Sequence, residues 1–241
     1  MTRSSAAGRL VGSYQSPKPV GAFMKALPSA ERAMIEASGI IRQFAAGIPV
    51  IHEGDPSDHV LIIRRGCVKV VAAAPHGAQF ILGIRGPDDI VGEQASLGGR
   101  PRRGTVQTVD RVEALIVPGH RFTRLLKERP AISLALTHVL SERLAEADRY
   151  RLPASYGAAP MLARLMLDLA ERYGSRTANG GRTLGVGLTQ SDLADCLAVS
   201  SRTVARVLAS WRRIGVVNTA RRRIVIQRPD VLRSYAEPPQ E

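Results

Sequence analysis

Residues 188–215, LTQSDLADCLAVSSRTVARVLASWRRIG, constrain the fold of this chain more than any other segment. Thr189 followed by Asp192 has the form of a capping box, with Asp in place of the usual Glu. Behind it Leu193, Leu197 and Val199 supply apolar spacing, with the small Ala194 between them. Ser200 is placed to cap a second helix whose inner face is Val204, Val207, Leu208 and Trp211. Two short helices joined by a tight turn, the second Arg-bearing on its outside, make a helix-turn-helix. On that second helix Ser201, Arg202, Ala205 and Arg206 share one face near the N-terminus, where base edges are contacted. Arginine can fork onto guanine, and each good pair discriminates by about 1–3 kcal/mol. Thr189, Ser200 and Thr203 suit phosphates, which position without specifying, and Gln190 joins them as a candidate contact. A helical hairpin with a solvated arginine face is the plainer alternative.

Charge favours nucleic acid as the partner. The chain of 241 residues carries a formal net charge of +13. From Ala158 onward there are 13 Arg, no Lys and 7 acidic residues, so arginine alone supplies the positive charge there. Arg221, Arg222 and Arg223 precede a strand-like IVI, as a basic wing along a DNA backbone would. Double-stranded DNA is therefore the expected partner.

The remainder divides by periodicity. Residues 1–20 lack an apolar core for a signal peptide and read as a flexible tail. Residues 21–120 read as a β-rich domain of short apolar runs separated by turns, entered through one or two short helices in FMKALPSAERAMIEAS. A helical pattern follows from Arg121 to about Leu152, with Pro130 in its first turn, and a hinge near Leu152–Gly157. Its apolar stripe is Ile132, Leu134, Leu136, Val139, Leu140 and Leu144, with Glu142, Arg143, Glu146 and Arg149 on the opposite side. The stripe serves equally for packing within its own domain or for a dimer seam. Residues 158–241 form a second helical unit, opened by PMLARLMLDLAERYG, whose Gly174 reads as a C-cap. No run is long and apolar enough for a membrane span, and a membrane partner is not expected.

The block from Thr189 to Leu208 resembles the DNA-binding region of the CRP/FNR family of transcriptional regulators. Thr189, Asp192, Leu193, Ala194, Leu197, Ser200, Thr203, Val204, Arg206 and Leu208 lie in register with the family pattern. Ser201 and Arg202 depart from it: the family's cyclic-AMP-binding type has Arg and then Glu there. Losing that carboxylate removes an acceptor for the cytosine amine, so an unusual half-site is implied. Gly54–Asp58, Gly66 and Gly86–Glu93 resemble the turns of the family's cyclic-nucleotide-binding domain. Gly92, Glu93, Ala95, Arg102, Gly104 and Val106 resemble its phosphate-binding cassette.

The resemblance implies an α+β protein: an N-terminal β-roll, a long dimerisation helix over 121–157 with its hinge, and a C-terminal winged helix-turn-helix. Glu93 would take the ribose hydroxyl and Arg102 the cyclic phosphate, with Ala95 and Ser96 offering backbone N–H groups. Gln94, Ser96 and Arg103 depart from the cassette, and the adenine-recognising pair falls on Ala147 and Asp148, of which Asp148 can accept from the amine. Cyclic AMP is thus the expected effector, with no permanently bound cofactor. A homodimer would set its two recognition helices roughly 34 Å apart. RNA polymerase would be a further partner and the cytoplasm the location.

Two alternatives stay open. One keeps DNA binding but senses another ligand or thiol oxidation at Cys67 or Cys196, the only cysteines and too few for a four-thiolate cluster. The other is a nucleotide-binding enzyme, for which no nucleophile–base pair, metal-ligand spacing or P-loop is visible.

Overall fold

The computed structural model describes residues 22–73, 79–151 and 157–236. The expected tail at 1–20 and most of the expected hinge lie outside these. A 3₁₀ turn at Phe23–Ala26 and α1 (Ser29–Ala37) enter the first domain. Its strands are β1 (Ile40–Phe44), β2 (Pro49–Ile51), β3 (Val60–Arg65), β4 (Val68–Ala73), β5 (Gln79–Arg85) and β6 (Ile90–Val91). The short α2 (Glu93–Gly98), β7 (Thr105–Thr108) and β8 (Val112–Val117) complete it, followed by α3 (Gly119–Glu128) and α4 (Pro130–Arg151). The strands form two antiparallel four-stranded sheets, ordered β1-β8-β3-β6 and β2-β7-β4-β5, folded face to face as a roll.

β3 shows why strict alternation is missing from its sequence. Leu61 and Ile63 pack inside the roll with Val68, Val91, Val106 and Val112, while Val60 and Ile62 pack outward against helices. A strand buried on both faces reads as a continuous apolar run. The outer cluster joins Phe23, Ile35, Phe122, Ile132, Leu136 and Val139, with Phe23 edge-on to Phe122 at a centroid distance of 6.3 Å.

The helical region expected from Arg121 to about Leu152 is two helices, the second starting at Pro130 as its expected place in a first turn implies. Arg129 is extended (φ −130°, ψ 91°) because Pro130 disfavours the helical conformation in the residue before it. Along α4 the apolar stripe splits. Ile132, Leu136 and Val139 are buried in their own domain, whereas Leu134 and Leu144 are 70% and 64% exposed. On the opposite side Glu142, Arg143 and Glu146 are only partly open to solvent. Arg143 and Glu146 expose only 12% and 13% of their side chains, because each faces a buried partner.

The second unit comprises α5 (Ala158–Arg172), β9 (Arg182–Thr183), α6 (Gln190–Leu197), α7 (Ser201–Arg213), β10 (Val217–Ala220), β11 (Arg223–Ile226) and α8 (Pro229–Ala236). Its sheet has the order β10-β11-β9. Gly174 is required by close approach rather than as a left-handed cap: a Cβ there would lie 2.1 Å from the Thr183 carbonyl oxygen. The core of this unit, centred on Leu162, Met166, Leu193, Leu208 and Trp211, is continuous with Cys67, Val71, Ile81, Ile84 and Val109 of the roll.

Candidate functional site

Sequence neighbours from the cassette and distant residues of α4 and β5 meet around one cavity of about 450 Å³. Gly92, Glu93, Gln94, Ala95, Arg102 and Arg103 line it, facing Arg85, Leu82, Leu140, Arg143, Leu144 and Ala147. Of the expected ligand residues, Ser96 and Asp148 are not in the wall. Asp148 is exposed on α4, and the Ser96 hydroxyl is buried without a hydrogen-bond partner among the described residues.

Gly92 shapes the entrance to the cassette. Its φ of +83° lies in the left-handed region, and a Cβ would sit 2.8 Å from Arg102 Nη1. Arg102 is 4% exposed. Its Nε donates to Ser57 Oγ (3.2 Å), Nη1 to the Gly92 carbonyl (2.8 Å) and Nη2 to the His59 carbonyl (2.6 Å). A guanidinium has five N–H donors, so two are left for an anion. Burial pulls Arg102 below its ordinary value, with Asp55, Asp58 and Glu93 opposing. Burial, and then the Arg102 charge, also lowers His59, which favours its neutral form beside this cation.

Glu93 projects from the start of α2 and exposes 5% of its side chain. Its Oε1 accepts from Arg143 Nη1 at 2.9 Å, and Arg143 Nη2 donates to the Ile90 carbonyl at 2.6 Å. Arg143 carries no local sequence signal for this role: its partner is 50 residues away.

The helix-turn-helix forms as its sequence implies. Asp192 N donates to Thr189 Oγ1 (3.1 Å) and Thr189 N donates to Asp192 Oδ2 (2.8 Å), closing the capping box of α6. Ser200 Oγ accepts from Thr203 N (3.1 Å) and caps α7. Val204, Leu208 and Trp211 are buried and Val207 is half-buried, leaving Ser201, Arg202 and Arg206 exposed and Ala205 half-buried. Gln190 is exposed in the first turn of α6. Arg221, Arg222 and Arg223 are exposed at the β10–β11 turn, where Arg222 adopts φ +54°. The Thr189 hydroxyl is also engaged, 2.7 Å from Asp192 Oδ2, so its first duty is the cap.

The two sites share a seam that sequence reasoning missed. Lys69 of β4 lies 2.6 Å from Asp192 Oδ1. The Tyr173 hydroxyl donates to the Ile84 carbonyl at 3.0 Å. Glu146 lies 2.9 Å from Arg172 and 3.6 Å from Arg85. Both cysteines are free and set near this seam. Burial, then Asp110 and Asp89, pushes the Cys67 thiol up to about 12, and burial, then Asp192 and Asp195, does the same for Cys196. Such thiols hold their protons and are poor nucleophiles, which weighs against oxidation sensing.

Comparison with known proteins agrees with this division. The cyclic nucleotide-binding domain family matches residues 41–129, and the Crp-like helix-turn-helix domain family matches residues 162–235. The CRP-like cAMP-activated global transcriptional regulator of Mycobacterium tuberculosis is 30% identical over 207 residues, covering 86% of this chain and 92% of that one. The transcriptional activator protein FnrL of Cereibacter sphaeroides is 28% identical over 206 residues, covering 82% and 80%. Among solved structures, the c-di-GMP responsive global regulator CLP of Xanthomonas campestris superposes with a TM-score of 0.70 at 19% identity, covering 83% of this chain and 99% of that one. FixK2 from Bradyrhizobium japonicum gives 0.70 at 17% identity, covering 82% and 96%. The two sequence relatives are named as a transcriptional regulator and a transcriptional activator. With a nucleotide-binding roll and a Crp-like helix-turn-helix in the same order, the chain belongs to the CRP/FNR family of DNA-binding transcriptional regulators.

Proposed function

We propose that this regulator acts as a homodimer in the cytoplasm and that cyclic AMP, bound in the β-roll, controls its hold on DNA. Residues 21–120 serve as the sensor, 121–157 as dimerisation helix and hinge, and 158–241 as the reader. One observation carries the effector reading: Glu93 at the start of α2 and Arg102, nine residues further on, line the same cavity with unused hydrogen-bonding capacity. A carboxylate can accept a ribose hydroxyl, and a guanidinium with two spare N–H groups can hold the single charge of a cyclic phosphate. The name of the Mycobacterium tuberculosis relative supports the same effector. Arg103, Gln94 and Ala95 border the ligand. Asp148 and the Ser96 backbone are secondary contacts in this reading.

Dimerisation rests on α4. Leu134, Thr137, His138, Ser141 and Leu144 are all exposed and follow spacings of three and four along the helix, as a helix–helix seam does. Leu82, 60% exposed, joins Leu144 at the cavity wall, so a partner subunit would cover apolar surface and enclose the ligand together. The recognition face then presents Ser201, Arg202 and Arg206 to bases. Thr189, Gln190, Ser200, Thr203 and the wing arginines 221–223 hold phosphates. Ligand shifts the population between arrangements of the reader. RNA polymerase is the expected recipient of the signal.

The test is a titration of full-length protein with cyclic AMP at fixed salt, read on a duplex selected from a random pool. A rise or fall in duplex affinity that tracks calorimetric binding supports the reading. Duplex binding with no cyclic AMP dependence would leave only the reader.

A further inference from the structure

The seam between sensor and reader encloses a second cavity, of about 240 Å³. It runs along β5 and is closed by α4, α5 and α6, so both domains build its wall. Ile81, Leu165 and Leu169 are buried there, Cys196 is half-buried, and Phe80 and Leu82 are exposed at the rim. An apolar cavity of about 150 Å³ already accepts benzene, so this one has room for a single ring bearing a polar group.

The charges around it are the reverse of those around the cassette. In the cassette cavity Arg85, Arg102, Arg103 and Arg143 stand against Glu93. Here Glu146, Asp168 and Asp195 stand against Arg172, three carboxylates to one guanidinium among the described residues. The first cavity suits an anion and the second a cation. Two of the three carboxylates can take more positive charge. Glu146 Oε1 is met by Arg172 at 2.9 Å, but Oε2 is buried with no hydrogen-bond partner among the described residues. Arg85 stands 3.6 Å from that oxygen, too far for a hydrogen bond. At Asp195, burial and then the charge of Asp192 raise the carboxyl above its ordinary value. Its negative charge is thus poorly compensated, and a neighbouring cation would relieve it.

We propose that this cavity binds a small organic monocation, one apolar ring carrying an amidine or amine, and that the ligand fastens the reader to the sensor. The ring lies against Ile81, Leu165 and Leu169 and removes their surface from water. The charged N–H groups donate toward Glu146 and Asp195. Because the walls come from two domains, the ligand binds only their docked arrangement and shifts the population toward it. No cassette residue lines this cavity, so the inference stands apart from the cyclic AMP reading, although Leu82 and Ala147 lie in both walls.

Three probes of one shape test the charge: benzamidine, benzamide and benzoate, titrated into the full chain by calorimetry at neutral pH. Benzamidine should bind saturably with a dissociation constant of about 1 mM or tighter, as its size allows, and benzamide about tenfold more weakly or worse. Benzoate should be weaker still. Asp195→Asn, at a half-buried position, should weaken benzamidine by about fivefold or more and leave benzamide unchanged. Amide hydrogen exchange on wild type locates the probe independently of any variant. Saturating benzamidine should slow exchange by about threefold or more in both β5 and α6 and leave α2, beside the cassette, unchanged. No saturable binding below about 10 mM, equal affinity for benzamidine and benzamide, or full benzamidine affinity in Asp195→Asn would each overturn the proposal. So would protection confined to α2, which would put the probe in the sensor cavity, or protection of β5 without α6, which would mean that the reader is not fastened.

Discussion

The Lys69 ammonium of the sensor lies 2.6 Å from Asp192, the residue that closes the capping box of the reader's first helix. One carboxylate therefore serves two purposes. It ends a helix correctly and it ties two domains together. The pair exposes 18% and 11% of its side chains, so solvent screens it only in part.

Replacing Lys69 with Met should loosen this seam and leave the capping box in place, since Thr189 still bonds both ways to Asp192. The expected cost is about 1–3 kcal/mol, the range for leaving a partly buried charge without its partner. Urea denaturation followed by circular dichroism would measure it, and a loss below about 0.5 kcal/mol would mean that the pair contributes little.

The same pair predicts acid sensitivity. Burial pushes the Asp192 carboxyl upward, but hydrogen bonds from Lys69 and Thr189 outweigh it and hold the group below its ordinary 3.8. As pH falls, the unfolded chain therefore binds this proton before the folded one does. The contribution is complete above the ordinary value and fades as pH falls through the lower folded one. Stability measured between pH 6 and roughly pH 3 should fall less steeply in Asp192→Asn than in wild type.

On DNA, Arg206→Ala and Arg202→Ala should each relax the preference at one base pair per half-site, by about 1–3 kcal/mol. Arg222→Ala, at the wing turn, should weaken all duplexes alike and flatten the salt dependence by about one ion. Selection from random duplexes followed by salt titration separates the two behaviours. A uniform loss for Arg206→Ala would place that side chain on phosphate.

Leu134→Glu should convert dimer to monomer without unfolding the protomer, because Leu134 is 70% exposed and lies outside the sensor core. A loss of self-association of at least about tenfold is expected by analytical ultracentrifugation, as for a charge placed at the centre of an apolar seam. Ile132→Glu, in the core, should instead unfold the sensor.

Native protein should react with a disulfide reagent at neutral pH more slowly than denatured protein, by roughly three orders of magnitude if the thiolate fraction alone decides. That follows from Cys67 and Cys196 both being raised to about 12 from 9.0. Rapid modification of either thiol in folded protein would reopen oxidation as a signal.

Local chemistry was legible residue by residue. The capping box at Thr189, the cap at Ser200, the buried face of Val204, Leu208 and Trp211, and the turn at Gly92 all depend on neighbours within a few positions. The glycines and prolines that punctuate the roll acted the same way, as did Pro130 in the first turn of α4. The partners of Arg143 and Glu146 were not legible, because a charge on a helix carries no local sign of which distant group it meets. Glu93 lies 50 residues from Arg143, and Lys69 lies 123 residues from Asp192.

The sequence by itself determined the order of the two domains, the helix-turn-helix and the cassette residues Glu93 and Arg102, because those signals are short-range and tied to backbone conformation. Tertiary structure alone decided the division of the α4 stripe, the burial of its charges and the joining of sensor to reader at Lys69–Asp192 and Glu146–Arg172. Those relations are ion pairs and packing between segments far apart in the chain, and no local pattern encodes which distant side chain a buried charge will meet.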